Sequence, residues 1–397
     1  MATFPAIKQF SDRVNRIEIS ATMAVVAEAA RLKSAGADLV EFGAGEPHFS
    51  TPQHIKDAAI AAIQQDCTRY TAVAGLPELR LAIVKRHAED FGSDYKQDEA
   101  IASTGGKLAL FNALQVLVDH GDEVILPVPY WVSFKDIIEY GGGKCVYVET
   151  QESDGFRLTL GMIEHRITPR TRAIIINSPS NPSGAVVDPE DFTAILRLAH
   201  KRGIYVVADE CYVYLNYTGH IFSAGSVRDA KEHLVIAGSL SKTYAMTGWR
   251  LGFALGPSPI VAAMTKLQSQ STSSSAHMIQ KAAVAALNGP QQCVAEMKAE
   301  YIRLRDQTLD LLNNIPGITC VKPQGAFYVY PNVSSYFGRA GINSAAEVAR
   351  RLLHEAHVVT VPGEAFGTRE HIRLSYATSS KEISRGLDRM QSWFAKL

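Results

Sequence analysis

Short apolar runs alternate with amphipathic helical patterns through residues 52–289. The runs at 123–126, 173–177 and 204–208 are shorter than ordinary helices and are rich in Val, Ile and Leu. Runs of this kind are typical of strands that are buried on both faces of a parallel sheet. Because such strands alternate with helices, the pattern predicts an α/β fold built on a doubly wound sheet.

The pattern changes after this region. Residues 293–312 are predicted to form one long charged helix, with Arg303 and Arg305 on its solvent-exposed side. We expect this helix to connect a large domain, residues 48–290, to a smaller one made of residues 1–47 and 291–397. A chain of 397 residues is long enough to build two hydrophobic cores.

Polar side chains follow two of the predicted strands. Asp209 comes directly after the run at 204–208, Tyr212 lies three residues further on, and Asn181 lies in a loop that two prolines and a glycine hold rigid. Ligands of open α/β sheets bind at the carboxyl ends of the strands. The sequence therefore predicts a ligand site that contains these side chains.

A lysine among small hydroxyl residues indicates which ligand this is. Lys242 follows Ser239 and Ser241, and Arg250 lies eight residues further on. A lysine amine of lowered pKa forms a Schiff base with an aldehyde, and arginine with serine hydroxyls binds phosphate. Pyridoxal 5'-phosphate carries both groups, and its protonated ring, which stabilises a carbanion, needs an acidic partner such as Asp209.

Two more features extend this candidate site. The backbone amides of Gly106 and Lys107 precede an apolar helical pattern and could bind a phosphate at the helix N-terminus. Trp131 follows the strand at 123–126 and could stack on an aromatic ring. Each feature is common alone: a lysine at a helix start, a tryptophan in a core, an aspartate that caps a helix. Their occurrence together supports the prediction.

With these motifs, the chain resembles the fold-type I pyridoxal phosphate enzymes, and specifically the class I aspartate aminotransferase family. It is most similar to the bacterial subgroup that includes aspartate/prephenate aminotransferases. The resemblance runs almost end to end, and outside the motifs above it rests on Ser20-Ala21-Thr22, Ala44-Gly45-Glu46-Pro47, Pro323-Gln324-Gly325-Ala326-Phe327-Tyr328 and Ile372-Arg373-Leu374-Ser375. It implies a large domain with a mostly parallel seven-stranded sheet between helices, and a smaller α+β domain.

The resemblance also implies roles for the candidate residues. Lys242 would be the Schiff base lysine and general base, Asp209 would pair with the ring nitrogen, and Tyr212 would be a third catalytic residue. The other cofactor-binding residues would contact the phenolic oxygen, the ring face and the phosphate: Asn181, Trp131, Ser239, Ser241, Arg250, Gly106 and Lys107. Tyr70 would reach the phosphate of a neighbouring subunit, which implies a homodimer with shared active sites.

For the substrate, the resemblance implies two binding ends. Arg373, with the backbone amide of Gly45, would hold the α-carboxylate, since an arginine binds a carboxylate bidentately; Asn181 and Trp131 would also contact substrate. Part of the family binds the second carboxylate with an arginine of the partner subunit, but the corresponding residues 266–273 contain none. The bacterial subgroup instead has Thr22 and Lys107 there, and both are present.

With these residues, the resemblance implies an aminotransferase that moves the amino group of L-aspartate or glutamate to 2-oxoglutarate or oxaloacetate by a ping-pong mechanism. Three alternatives stay open. The enzyme could use prephenate as acceptor, since prephenate also carries two carboxylates. It could use aromatic or apolar amino acids, or act as a lyase. It could also be a non-catalytic regulator that keeps the fold.

The composition agrees with an enzyme that acts on small molecules. Lys plus Arg and Asp plus Glu each number 40, so nothing indicates a nucleic-acid partner. No apolar run approaches the length of a membrane span, and the first residues do not resemble a signal peptide. The five cysteines are scattered, without paired metal spacing, so we expect reduced thiols, no metal, and a cytoplasmic location.

Overall fold

A seven-stranded sheet forms the centre of the fold. The computed structural model describes residues 10–18 and 21–397, without the side chains of residues 21–23. The strands of this sheet are β2 (Ala100–Ser103), β3 (Glu123–Val128), β4 (Lys144–Glu149), β5 (Thr171–Asn177), β6 (Tyr205–Asp209), β7 (Leu234–Ser239) and β8 (Gly252–Leu255). They follow the order β2-β8-β7-β6-β5-β3-β4, and β8 is antiparallel to both of its neighbours. The predicted α/β class and mostly parallel sheet are confirmed.

Burial on both faces explains why the central strands are continuous apolar runs. In β6, Val206 and Ala208 pack into the apolar cluster on one face of the sheet, and Val207 packs into the cluster on the other. In β5, Ile174 and Ile175 divide between the two faces in the same way. Successive side chains of a strand point to opposite faces, so both layers of helices are held by the same short segments.

Helices surround this sheet and continue into the C-terminal part of the chain. Their bounds are α1 (Asp12–Asn15), α2 (Ala21–Ser34), α3 (Gln53–Gln64), α4 (Pro77–Phe91), α5 (Gly106–Leu117), α6 (Ser133–Tyr140), α7 (Leu160–Glu164), α8 (Pro189–Arg202), α9 (Leu240–Thr243), α10 (Ser258–Ser269), α11 (His277–Asn288), α12 (Gln292–Leu312), α13 (Ala345–Arg351) and α14 (Ser380–Phe394). The long helix expected at 293–312 is present as α12. Within the part of the chain that is described, no helix is long and apolar enough to cross a bilayer.

A second apolar core lies in the C-terminal part of the chain. Its strands are β1 (Val40–Glu41), β9 (Tyr328–Val329), β10 (Val358–Val359), β11 (Val361–Pro362) and β12 (Ile372–Ser375). The pairing of β1 with β10 brings an N-terminal segment into this core, where Val40 and Phe42 pack with residues of α12 and α14. The core therefore contains residues from both segments of the predicted smaller domain, although the domain boundaries stay a prediction.

One expectation about α12 is wrong. Arg303 is exposed and paired with Glu300, as expected, but Arg305 is buried. Its Nη1 donates to the carbonyl oxygen of Pro323 at 3.1 Å, and its guanidinium lies 5.2 Å from the ring centroid of Tyr217. Charge patterning placed Arg305 on the solvent side because its carbonyl and aromatic partners are distant in the sequence.

Candidate active site

A cavity of about 460 Å³, lined by both polar and apolar side chains, opens at the carboxyl edge of the seven-stranded sheet. The strand order explains its position, because the parallel strands β5, β6 and β7 all end at this edge, where β8 begins. Most of the candidate residues line this one cavity: Gly45, Gly106, Lys107, Trp131, Asn181, Asp209, Tyr212, Ser239, Ser241, Lys242, Arg250 and Arg373.

Lys242 lies on the short helix α9, directly after β7. Its Nζ donates a hydrogen bond to the carbonyl oxygen of Gly45 and lies 5.7 Å from the ring centroid of Phe327. Burial lowers the pKa of the Lys242 ammonium, because the charged form loses hydration. A lysine in this environment has a larger neutral fraction, which is the nucleophilic and basic form.

Asp209 is the last residue of β6 and is 6% exposed. One carboxylate oxygen accepts a hydrogen bond from the backbone amide of Cys211 at 3.0 Å. Burial raises the pKa of Asp209 to about 7, with a smaller contribution from the charge of Glu210, against the hydrogen bond from Cys211. A buried acid with so few donors is suited to a cationic partner, which would favour its ionised form.

Arg373 is a buried cation, 2% exposed, on β12. Its Nη1 donates to Asn181 Oδ1 at 3.0 Å, and its Nη2 donates to the carbonyl oxygen of Gly43 at 2.7 Å. Its Nε has no hydrogen-bond partner among the described residues, and the guanidinium lies 4.5 Å from the ring centroid of Tyr328. A buried guanidinium without a carboxylate partner is suited to an anionic ligand.

Tyr212 and Gly45 meet at Tyr328. The hydroxyl groups of Tyr212 and Tyr328 lie 2.7 Å apart, and both side chains are buried. A Cβ added to Gly45 would lie 2.6 Å from the Tyr328 hydroxyl. Because that distance is shorter than real Cβ contacts allow, only glycine fits beside this pair of tyrosines at the cavity wall.

A second group of donors lies where α5 begins. Gly105 has a φ of +88°, and a Cβ added there would lie 2.5 Å from Arg250 Nη2. A Cβ added to Gly106 would lie 3.0 Å from Ser239 Cβ. The two glycines thus let an arginine, a serine and the free amides at the N-terminus of α5 approach one another, a donor set that fits a phosphate group. The Ser239 hydroxyl also accepts from the Ser241 amide at 3.1 Å.

Lys107 and Trp131 form the rim of the cavity. Lys107 Nζ lies 4.8 Å from the Trp131 ring centroid. Loss of hydration, together with repulsion from Arg250, lowers the pKa of the Lys107 ammonium, and Asp136 partly offsets this. The rim therefore carries a cation that rests on an aromatic face, with no ion pair among the described residues, an arrangement suited to binding a carboxylate.

Two candidate residues lie outside this arrangement. Tyr70 is 96% exposed and does not line the cavity. The side chain of Thr22, near the start of α2, lies outside the described residues.

Several cavity residues were not identified from the sequence. Thr247 donates from its hydroxyl to Glu46, which places a carboxylate in the cavity near Lys242. Asn177 ends β5 and accepts from the Asn181 amide at 2.8 Å, which fixes the loop that carries Asn181. Strand-end position could have identified Asn177, whereas the Thr247–Glu46 pair spans 201 positions and has no local signal.

Comparison with known proteins identifies the family. The sequence pattern of the family described as Aminotransferase class I and II matches residues 37–390. The chain belongs to this family. The resemblance inferred from spaced motifs is thereby confirmed over nearly the whole chain.

Individual relatives agree with this assignment. The chain is 44% identical to an aspartate aminotransferase of Geobacillus stearothermophilus, over 96% of this chain and 98% of that protein. It is 41% identical to an aspartate/prephenate aminotransferase of Nitrosomonas europaea, over 97% and 99% of the two chains. Among solved structures, the Thermus thermophilus aspartate aminotransferase with maleate superposes with a TM-score of 0.93 at 41% identity, covering 97% of this chain and all of that one.

Membership also decides the cofactor, since aminotransferases of this type use pyridoxal 5'-phosphate. The residues present fit that group. Gly105 and Gly106 leave the space that Arg250 and Ser239 occupy beside the N-terminus of α5, and the cavity also contains a buried acid and a lysine amine. The chain is therefore a pyridoxal-phosphate-dependent transaminase.

Proposed function

We propose that this transaminase moves the amino group of L-aspartate or glutamate to 2-oxoglutarate or oxaloacetate. The observation that carries the proposal is the buried guanidinium of Arg373, which has no carboxylate partner among the described residues and lies in the same cavity as Lys107. One cation deep in the cavity and one at its rim suit a substrate with two carboxylates. The relatives named above as aspartate aminotransferases support the same substrate class.

For the cofactor, we propose the following roles. Lys242 would hold it covalently, Asp209 would pair with the ring nitrogen, and Trp131 would stack on the ring. Asn181 and Tyr212 would donate to its phenolic oxygen. The remaining residues would bind the phosphate: Ser239, Ser241, Arg250 and the amides of Gly106 and Lys107. The support is that all of them line one cavity.

When bound, pyridoxal phosphate withdraws electrons from the substrate's α-carbon. The chain's own residues then control the proton. Burial lowers the pKa of the Lys242 amine, and this amine would take the proton from the substrate's α-carbon and hold it at Nζ. The carbonyl of Gly45 holds the amine in place. Asp209 would hold the proton of the ring nitrogen, since its burial makes a cationic partner favourable.

Arg373 would fix the α-carboxylate, so that the α-carbon faces Lys242. Gly45 would add a backbone amide, and Asn181, which already accepts from Arg373 Nη1, would keep the guanidinium oriented. Lys107 at the rim, with the hydroxyl of Thr22, would bind the distal carboxylate. Trp131 lies against Lys107 and would contact the substrate between the two ends.

A steady-state assay tests this proposal. Initial rates would be measured with aspartate and 2-oxoglutarate, each varied at several fixed levels of the other, with oxaloacetate as the detected product. Parallel double-reciprocal lines are expected, because the first product leaves before the second substrate binds. Failure to form oxaloacetate, with turnover of an aromatic or apolar amino acid, would contradict the substrate assignment while keeping the reaction type.

A second acceptor deserves a direct test. The relative from Nitrosomonas europaea is named an aspartate/prephenate aminotransferase, and prephenate also carries two carboxylates. We propose that the same two cations would bind it. The test is to convert the enzyme to its pyridoxamine form with aspartate and to compare prephenate with 2-oxoglutarate as acceptors.

We also propose a homodimer in which Tyr70 contributes to the partner's site, supported by its 96% exposure on a single chain. Chains carrying Lys242→Ala and Tyr70→Ala would be mixed and refolded together. If Tyr70 acts across the interface, each hybrid dimer contains one site with both residues intact, and activity is regained. If Tyr70 acts within its own chain, the hybrid has no intact site and activity stays low.

A cytoplasmic location remains a prediction from the sequence.

A further inference from the structure

A cluster of two histidines and a glutamate lies away from the proposed active site. His200 is in the last turn of α8, and Glu232 and His233 end the 3₁₀ turn that precedes β7. The Nδ1 atoms of the two histidines lie 3.0 Å apart. One ligand atom from each of the three residues falls within 4.8 Å of the others. We propose that these residues bind a divalent transition-metal ion, with Zn²⁺ as the best match.

The cluster is separate from the transamination site. β7 begins at Leu234, directly after His233, and ends at Ser239 in the cavity. The two sites therefore lie at opposite ends of the same strand. An ion bound here would have a structural role and would not contact the substrate or the cofactor.

The ligand chemistry is that of zinc. Zn²⁺ binds imidazole nitrogens and carboxylate oxygens, and three protein ligands with a water complete a tetrahedral set. Two nitrogens at about 2.0–2.1 Å from a tetrahedral ion lie ~3.3 Å apart. The observed 3.0 Å is close to this, so the two imidazoles need only a small movement, and the exposed Glu232 carboxylate, within 4.8 Å of them, would move in to complete the set. Without an ion, the same short distance between the two Nδ1 atoms is that of a hydrogen bond donated by one neutral imidazole to the other.

The surrounding charges are compatible with a cation. Glu232 supplies a carboxylate within 4.8 Å of the two imidazoles. Arg172 opposes a bound cation, but it lies over the Tyr205 ring, 5.1 Å from its centroid. Asp229 is paired with Arg197 at 2.7 Å and so is not counted as a ligand. The C-terminal end of α8 also favours positive charge.

Metal binding would join two elements that are distant in sequence. His200 and His233 are 33 residues apart, so their spacing gives no local motif, and no metal was expected from the sequence. An ion held between α8 and the start of β7 stabilises the folded state, because an unfolded chain does not hold the three ligands together.

Zinc titration of the full-length holoenzyme tests the proposal, with calorimetry and thermal unfolding as readouts. We compare the wild type with His200→Ala, His233→Ala and Glu232→Gln, and use His165→Ala as the control, since the His165 ring is exposed and bonded to the Gly161 carbonyl. The wild type should show a zinc-binding step that raises the melting temperature. Either histidine substitution should weaken that step by more than about tenfold, since even outer-shell losses cost 10–100-fold.

The control should bind zinc as the wild type does, and His233→Ala should leave the half-reaction with aspartate unchanged. Glu232 is exposed, so Glu232→Gln keeps the fold intact and should still weaken binding. Absence of a zinc-induced rise in melting temperature, or a binding step that survives both histidine substitutions, would overturn the proposal.

Discussion

The two ends of the proposed active site differ in how deeply their side chains are buried and in the bonds that hold them. At the sheet edge, Asp209, Asn181 and Arg373 are buried, and backbone or side-chain bonds hold each in place. At the rim, Lys107 is an exposed residue in the first turn of α5 whose amine rests on Trp131. The proposed contacts to the ring nitrogen, the phenolic oxygen and the α-carboxylate thus belong to the buried core, and the proposed distal-carboxylate contacts belong to the surface.

This difference separates reaction type from substrate choice. Residues fixed in a packed core can hold reacting groups in place before substrate arrives, as transamination requires. A surface lysine is a flexible point charge, and it adds a preference of limited size. We therefore expect large effects on all substrates from changes at the sheet edge, and selective, smaller effects from changes at the rim.

The largest effect is expected for Lys242→Ala. Loss of both the covalent attachment and the general base should lower turnover of every amino acid by at least about 10⁴-fold. Lys266→Ala is the control, since Lys266 is exposed and does not line the cavity. Single-turnover conversion of the cofactor absorbance measures the effect, and near-normal rates in Lys242→Ala would refute the assignment of the base.

Arg373→Lys should have the next largest effect. The substitution keeps the positive charge but removes the planar fork, with the loss of one or two charge-assisted hydrogen bonds to the α-carboxylate. We expect kcat/KM to fall about 100-fold for aspartate and by a similar factor for alanine, because both substrates carry that carboxylate. The matched control is Arg369→Lys on the exposed surface. A loss confined to aspartate would place Arg373 at the other end of the substrate.

Lys107→Ala tests the rim. kcat/KM for aspartate and glutamate should fall about tenfold, the size of one partly exposed charge contact, while the value for alanine should change little. Added salt should reduce the difference between wild type and variant, since exposed charges are screened. Equal losses for aspartate and alanine would show that Lys107 acts on the cofactor alone.

The smallest effect concerns stability. Burial raises the pKa of Asp209 from 3.8 to about 7 in the chain without cofactor. Stability from a buried neutral acid is fully present below the unfolded pKa and is lost as pH rises through the folded one. As the pH rises from 4 to 7, the melting temperature of cofactor-free Asp209→Asn should therefore rise relative to that of the wild type, by about 2–4 °C or more. A difference in melting temperature between the two proteins that does not change with pH would show that Asp209 does not titrate in this window.

The sequence predicted the sheet edge well because its signals are local. Apolar runs followed directly by Asp209, or by a rigid loop with Asn181, predict both a strand and the position of its polar end. Spaced motifs then brought Lys242 and Arg250 to the same edge. All of these residues line the cavity.

Contacts between segments distant in sequence could not be predicted. The burial of Arg305 depends on the Pro323 carbonyl and the Tyr217 ring, and the hydrogen bond between Tyr212 and Tyr328 spans 116 positions. The approach of His200 to His233 likewise depends on how α8 packs against the start of β7. The pattern of apolar and polar residues predicts the type and order of the helices and strands. These pairs, however, form only when those helices and strands pack together.

The most direct test is the half-reaction of the purified enzyme in its pyridoxal form. Aspartate, glutamate, alanine and phenylalanine would be added separately, and the cofactor absorbance would report conversion to the pyridoxamine form. We expect fast conversion by aspartate and glutamate, slow conversion by alanine, and reversal by 2-oxoglutarate. Conversion by phenylalanine or alanine, with none by aspartate or glutamate, would contradict a site built for two carboxylates.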